Sequence, residues 1–266
     1  MNAISATVES LESRRLLSAA VVDGVLVITG TPLAERILVN ENFDPATRKT
    51  KTYNVSIDPV GSDRPTEYYI IPAEGVNSLR IVAGGGNDLV DLAIATYAVI
   101  AVVGIGPVRA ATSIDAGSGN DEVYGGTARD SVNGGFGNDR IEGGYGDDSL
   151  NGGWGDDFLA GGNGTDLLYG SYGRDMLNGG EGDDRLYGGA GNDYLGIVGT
   201  MLPLLQEPGN DLLVGGLGDD SLAGGEGADR IYGGPGRDRF WTGDSPTEMR
   251  DRTPDEPIGP VRMPVS

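Results

Sequence analysis

Thirteen aspartates recur nine residues apart along the middle of this chain: Asp121, Asp130, Asp139, Asp148, Asp157, Asp166, Asp175, Asp184, Asp193, Asp211, Asp220, Asp229 and Asp238. Leu202 holds the one position where the series lacks its acid. Glycines sit at fixed offsets around each aspartate, as in Gly143-Gly144-Tyr145-Gly146-Asp147-Asp148-Ser149-Leu150-Asn151. The unit is Gly-Gly-x-Gly-x-Asp-x-U-x, where U is large and apolar. Glycine permits positive φ, so the first half of each unit can turn sharply and aim carbonyl oxygens and the carboxylate at one point. Such a donor set consists of hard oxygens only. It suits Ca²⁺, which takes ~6–8 oxygen ligands in flexible geometry, better than Mg²⁺, which demands a tight octahedron and keeps its waters. The chain has no Cys and no His, the ligands that softer metals seek.

The second half of each unit must position this turn. Position eight is Val123, Val132, Ile141, Leu150, Leu159, Leu168, Leu177, Leu186, Leu195, Leu204, Leu213, Leu222, Ile231 and Phe240, all apolar. Side chains alternate along a strand, so x-U-x reads as a short strand with U facing inward. One nonad then makes half a coil, and residues eighteen apart stack. Fourteen nonads fill residues 116–241. They give seven coils, a rod roughly 34 Å long at the ~4.8 Å strand spacing.

The array resembles the RTX (repeats-in-toxin) calcium-binding repeat family, whose nonapeptide is a known signature of a parallel β-helix. The resemblance implies an all-β fold, a right-handed parallel β-roll or β-solenoid. It also implies a calcium ion between each turn and the turn one coil above, held by aspartates and backbone carbonyls of both. Counted in steps of eighteen, the odd nonads form an unbroken file of aspartates. The even nonads lose two inter-turn gaps beside Leu202. This predicts about ten ions, with the even column interrupted near residues 197–205. The segment Ile197–Leu205 keeps Leu204 in phase, so it reads as a decayed nonad through which the coil continues.

Charge sharpens the expectation. The formal net charge is −21, which argues against nucleic acid as a partner. Residues 116–241 hold 22 acidic residues and 7 arginines, a balance of 7 − 22 = −15. Carboxylates stacked about 5 Å apart repel by roughly 3 kcal/mol per pair at an effective dielectric near 20. Ten such pairs outweigh a domain's stability of ~5–15 kcal/mol. The array is therefore predicted to be disordered without calcium and to fold on binding it.

Around the array the chain divides into residues 1–20, 21–115 and 242–266. In the first, Leu11-Glu12-Ser13-Arg14-Arg15-Leu16-Leu17 resembles the Leu-Glu-Pro-Arg-x-Leu-Leu motif near the N-terminus of large bacterial surface and secreted proteins, with Ser13 in place of Pro. It points to an extracellular or cell-surface setting. Residues 21–115 carry short β-branched and aromatic runs, such as Val25–Gly30 and Leu79–Val82, which are strand signals. They read as irregular solenoid coils leading into the roll, with a separate β-sandwich as the alternative. Within them, Ala83-Gly84-Gly85-Gly86-Asn87-Asp88-Leu89-Val90-Asp91 is an isolated nonad, and Asp88 is a further candidate ligand. It lies 33 residues before Asp121, out of phase with the array. Leu92–Gly106 is apolar but shorter than the ~20 residues of a membrane helix, and buried strands are expected. The Pro-rich segment 242–266 reads as a disordered tail.

No catalytic constellation stands out. Without histidine there is no Ser-His-Asp triad and no His-Glu-x-x-His site, and adjacent acids such as Asp147-Asp148 repeat without distinction. Position five is often acidic or amide (Asn120, Asn138, Asp147, Asp156, Asp183, Asn192, Asn210, Asp219) and should point into solvent. Aromatic residues at position nine, such as Tyr124, Tyr169 and Tyr187, read as strand-surface packing. The sequence thus points to a non-enzymatic, calcium-binding extracellular module with a structural or adhesive role, and cell-surface polysaccharide or envelope proteins as partners. The alternative is a non-catalytic accessory module of a secreted enzyme, or a carbohydrate-binding surface protein.

Overall fold

The computed structural model describes residues 18–43, 49–60, 67–92, 105–106, 108–196, 209–225 and 227–241. The motif at 11–17 and the tail 242–266 lie outside them, as does most of Leu92–Gly106. The described residues form an all-β parallel β-roll. Successive x-U-x triplets alternate between two sheets, so each strand hydrogen-bonds to the strand two further on. In one sheet Val132 faces Leu150, which faces Leu168. In the other Ile141 faces Leu159, which faces Leu177. Each step is the eighteen residues of one full coil.

Alternation does the rest. Position eight points between the sheets, and every described member is buried, from Val123 to Phe240. Along the array the two thin sheets thus share a narrow core whose large buried side chains are those of position eight. Glycine is required where the backbone turns over its neighbour. Gly135 and Gly137 take φ of 111° and 124°, and a Cβ on either would strike a carbonyl of the preceding coil, Gly117 O or Gly119 O.

The coil does not continue through residues 197–205, contrary to the sequence reading. Arg185–Ala190 pairs with Leu212–Leu217, and Tyr194 faces Ser221, both steps of 27. Twelve residues, 197–208, join Gly196 to Gly209, where other turns use three. The connection is therefore nine residues longer than elsewhere, and Leu204 lies outside the described residues. Nine is one nonad, so the phase of the sequence survives while the column does not. Aspartates beyond the break stack on the opposite column from the one that counting in eighteens assigns.

A second offset joins the N-terminal residues to the roll. Leu89–Asp91 pairs in parallel with Glu122–Tyr124, a step of 33. Val108 donates its N–H back to the Leu92 carbonyl at 3.1 Å, so residues 93–107 are fifteen more than a coil needs. Asp88 is thus in spatial register with the array, although its sequence spacing suggests otherwise. Further strands continue both sheets. Ser78–Gly85 pairs with Thr112–Ser118 on one side and Val25–Thr29 on the other. In the second sheet, Glu35–Phe43 pairs in parallel with Leu89–Asp91. The N-terminal edge then turns antiparallel: Ser18–Val22 lies on Val25–Thr29, and Glu35–Phe43 is followed by Thr50–Pro59 and Glu67–Pro72.

Candidate metal centre

Two files of acidic side chains run the length of the roll, one along each row of turns. The first passes through Glu35, Asp88, Asp121, Asp139, Asp157, Asp175, Asp193, Asp220 and Asp238. The second passes through Thr112, Asp130, Asp148, Asp166, Asp184, Asp211 and Asp229. One bond builds both. The backbone N–H of each member donates to Oδ1 of the aspartate one coil later, as from Asp121 to Asp139 at 2.9 Å and from Asp130 to Asp148 at 2.8 Å. The ladder holds across both offsets: Asp88 to Asp121 at 2.7 Å, Asp184 to Asp211 at 2.8 Å and Asp193 to Asp220 at 2.8 Å. The hydrogen-bond ladder is interrupted in neither column. The nine-residue offset swaps the two files and breaks neither.

Oδ1 is thereby satisfied, and Oδ2 is not. The Oδ2 atoms of Asp88, Asp121, Asp139, Asp148, Asp157, Asp166, Asp175, Asp184, Asp193, Asp220, Asp229 and Asp238 are buried with no hydrogen-bond partner. Buried polar atoms are almost always paired, and an unpaired carboxylate oxygen is costly. Twelve along the two files mark places built for a cation. Their surroundings fit one. A Cβ placed on Gly143 would meet Asp148 Oδ2 and, at 2.7 Å, the carbonyl of Gly161 one coil later. Gly134 faces Asp139 Oδ2 and the Gly152 carbonyl in the same way. Glycine at position one therefore keeps open a cradle lined by a carboxylate oxygen of one coil and a backbone carbonyl of the next. Among the described residues no three acidic side chains converge on one point, so backbone carbonyls must supply much of the coordination. That suits calcium, whose ligands include backbone carbonyls.

Burial also sets the protonation of these groups. It is the first cause of every upward shift, with neighbouring aspartates a smaller one. Asp148, Asp157, Asp193, Asp211 and Asp220 are pushed up to about 7. Asp130, Asp139, Asp166 and Asp175 reach about 6. Asp88, which also faces Glu35 and Asp121, reaches about 8. The sequence argument named repulsion between stacked charges as the main cost. Desolvation is the larger one, because the ladder seals each carboxylate from water.

Two members of the files need no ion. Asp130 accepts from Thr112 N–H at 3.0 Å through Oδ1 and from Gly126 N–H at 2.8 Å through Oδ2. Glu35 closes the first file: one oxygen accepts from Thr31 N–H at 2.8 Å and the other from the Thr31 hydroxyl, while Glu35 N–H donates to Asp88 Oδ1 at 2.7 Å. Sequence reasoning missed Glu35. The signal was Gly30-Thr31-Pro32-Leu33-Ala34-Glu35-Arg36-Ile37-Leu38, a nonad that keeps its first glycine, its acid at six and its apolar residue at eight.

Position five has a second use as well. Its side chains are exposed, yet they form a ladder running the opposite way: Asn120 Oδ1 accepts from Asn138 N–H at 2.8 Å, and Asp219 Oδ1 accepts from Arg237 N–H at 2.9 Å. Each coil is thus tied forward by one acidic row and backward by the other. The exposed aromatic rings that stack from coil to coil lie mainly at position three, where Phe136, Trp154 and Tyr172 form one row with centroids 6.2 and 4.3 Å apart. Of the position-nine aromatics, Tyr169 and Tyr187 stack at 5.0 Å.

A family model, the RTX calcium-binding nonapeptide repeat, matches the chain in four copies, over residues 111–141, 133–168, 160–195 and 207–240. No curated protein matches the chain. The gap between the third and fourth copies, residues 196–206, falls where the strand pairing steps by 27. The coils of Glu35 and Asp88 lie N-terminal to every copy. The chain carries calcium-binding RTX repeats folded as a β-roll.

Proposed function

We propose that this chain is a calcium-dependent structural or adhesive rod that works outside the cell, with no catalytic role. One observation carries the reading: twelve buried, unpartnered Oδ2 atoms stand along the two files, eight in the first and four in the second. Ten of them, all but Asp229 and Asp238, are followed by a further coil and so sit in a complete inter-coil cradle. Ten divalent ions fit those cradles. Seven of the ten lie in the first column and three, Asp148, Asp166 and Asp184, in the second. Bound calcium would supply the positive charge and the oxygen contacts that Oδ2 lacks. Ten ions would bring +20 against a formal −21, leaving the loaded rod close to neutral.

The metal requirement supports an extracellular setting, because weak calcium sites are characteristic of extracellular modules. The absence of cysteine is compatible with that setting, and the motif at 11–17 points the same way. No helix among the described residues is long and apolar enough to cross a membrane. The equivalence of the buried aspartates supports a non-catalytic role, because no one carboxylate is set apart for acid–base work.

Equilibrium dialysis with calcium, paired with far-UV circular dichroism, tests the reading. Saturation near ten ions and a β spectrum that appears with calcium and not with magnesium are expected. A full β spectrum in excess chelator at pH 8 would sink it.

A further inference from the structure

The nine-residue offset has a chemical result on the outer surface. Along the first column, position five reads Asp156, Arg174, Asn192, Asp219, Arg237, because Asp219 follows Asn192 by 27 residues. Position seven beside it reads Tyr194, Ser221, Arg239. Counted in eighteens, Arg174 and Tyr194 belong to one column and Ser221, Arg237 and Arg239 to the other. The offset brings all five together. Ser221 is short and buried between two long neighbours, and this leaves a recess of about 370 Å³ lined by Arg174, Arg237, Arg239, Tyr194 and Ser221.

Three of the array's seven arginines meet here. Arg129 and Arg140 are engaged with Asp147 and Glu142. Arg174 pairs with Asp156 at 3.3 Å, but both side chains are about half exposed or more, and such a pair exchanges readily for a better anion. Among the described residues, neither Arg237 nor Arg239 forms an ion pair with an acidic side chain. Asp219 also lines the recess, and its Oδ1 is already taken by the N–H of Arg237. Arg174 and Arg237 are three coils apart, about 14 Å at the strand spacing. Guanidinium groups bind carboxylate and sulfate through paired donors, and a single small anion cannot span that distance.

We propose that this recess binds an acidic glycan, with the arginines holding sulfate or carboxylate groups at its two ends and Tyr194 and Ser221 lining the floor. The proposal rests on the calcium reading, since calcium must neutralise buried Asp193 and Asp220 before an anion can approach.

Isothermal titration of the calcium-loaded full chain with a short dextran sulfate, uncharged dextran of equal length, inorganic sulfate and a single-stranded oligonucleotide tests it. Dextran sulfate should bind, and uncharged dextran and inorganic sulfate should bind at least tenfold more weakly. R237Q/R239Q, and separately Ser221→Tyr, which fills the recess, should each lose at least tenfold in affinity with the β spectrum and calcium stoichiometry unchanged. Arg185→Gln, outside the recess, should bind as the parent chain does. Equal binding of uncharged dextran, tighter binding of the oligonucleotide, or undiminished binding by both recess variants would overturn the proposal. The β spectrum with and without calcium, recorded on the same samples, reports separately on the calcium reading.

Discussion

The N-terminal coils and the repeat array share two sheets and one hydrophobic file, yet they treat buried acid in opposite ways. In the N-terminal coils every described buried carboxylate except Asp88 is satisfied by protein. Glu35 is held by Thr31, and Glu41 accepts from the Thr50 hydroxyl at 3.0 Å and from Arg109 N–H at 2.8 Å. In the row of Asp130, position six of the earlier coils is Leu79 and Leu26, both buried. Antiparallel strands then cover the sheet edges. The array, Asp130 and Asp211 apart, leaves Oδ2 after Oδ2 unpartnered. One architecture thus holds a part that closes on itself and a part that needs an external cation, and the boundary runs through Asp88.

Chelation should separate the two most strongly. Hydrogen exchange in excess chelator at pH 8 is expected to show loss of protection across 116–241 and its retention in strands such as Glu35–Phe43 and Thr50–Pro59. Uniform protection, or uniform loss, would break the comparison. Core substitution sharpens it. Leu159 and Ile37 are both fully buried at position eight. Leu159→Ala should cost about 2–5 kcal/mol in calcium and nothing measurable in chelator, where its coil is already unfolded. Ile37→Ala should cost a similar amount in both conditions, read from denaturant midpoints.

The pH response follows from the sign of the shifts. Asp148 and Asp157 rise from 3.8 to about 7 in the folded array, so the folded form binds protons more tightly than the unfolded one. That contribution is fully present below pH ~4 and is lost as pH rises through ~6–7. Without metal, the β signal should therefore be stronger at pH 4.5 than at pH 8. A metal-free array that strengthens as pH rises would contradict the desolvation account. With calcium present, protons compete for the same oxygens, so affinity should fall as pH drops through that window. The smallest effect is local. Ser171 stands at position two with φ of 82°, where most other units place glycine. Ser171→Gly relieves this strain but loses the bond from its hydroxyl to Asn151 at 2.8 Å. A net gain of about 1 kcal/mol is expected in calcium, seen as a raised melting temperature.

Much of the fold was legible because its chemistry is periodic. Asp at six, an apolar residue at eight and glycine at one, two and four specify half a coil, and eighteen-residue stacking follows. What escaped was register across the two offsets. Phase counted along a chain is blind to a nine-residue addition, so Ile197–Leu205 passed as a degraded unit. The same count is misled by a fifteen-residue addition, so Asp88 seemed out of step. Spatial register is decided by bonds such as Asp184 N–H to Asp211 Oδ1, and these form whatever length of chain intervenes. Closing a longer connection costs only slowly more entropy. The position-five ladder was missed for another reason: an exposed Asn or Asp looks the same in sequence whether or not its oxygen takes a backbone proton.

Because the two files carry the same chemistry, they are interchangeable. The swap after Gly196 costs neither of them a rung. Gain or loss of a single nonad is therefore a tolerated edit, absorbed as half a coil or set aside as a loop, and it leaves every remaining aspartate a partner. A rod with this tolerance can change its length in increments of about 2.4 Å, half the strand spacing. Its reach is set by a unit count, and its outer face can be redrawn by one change of parity.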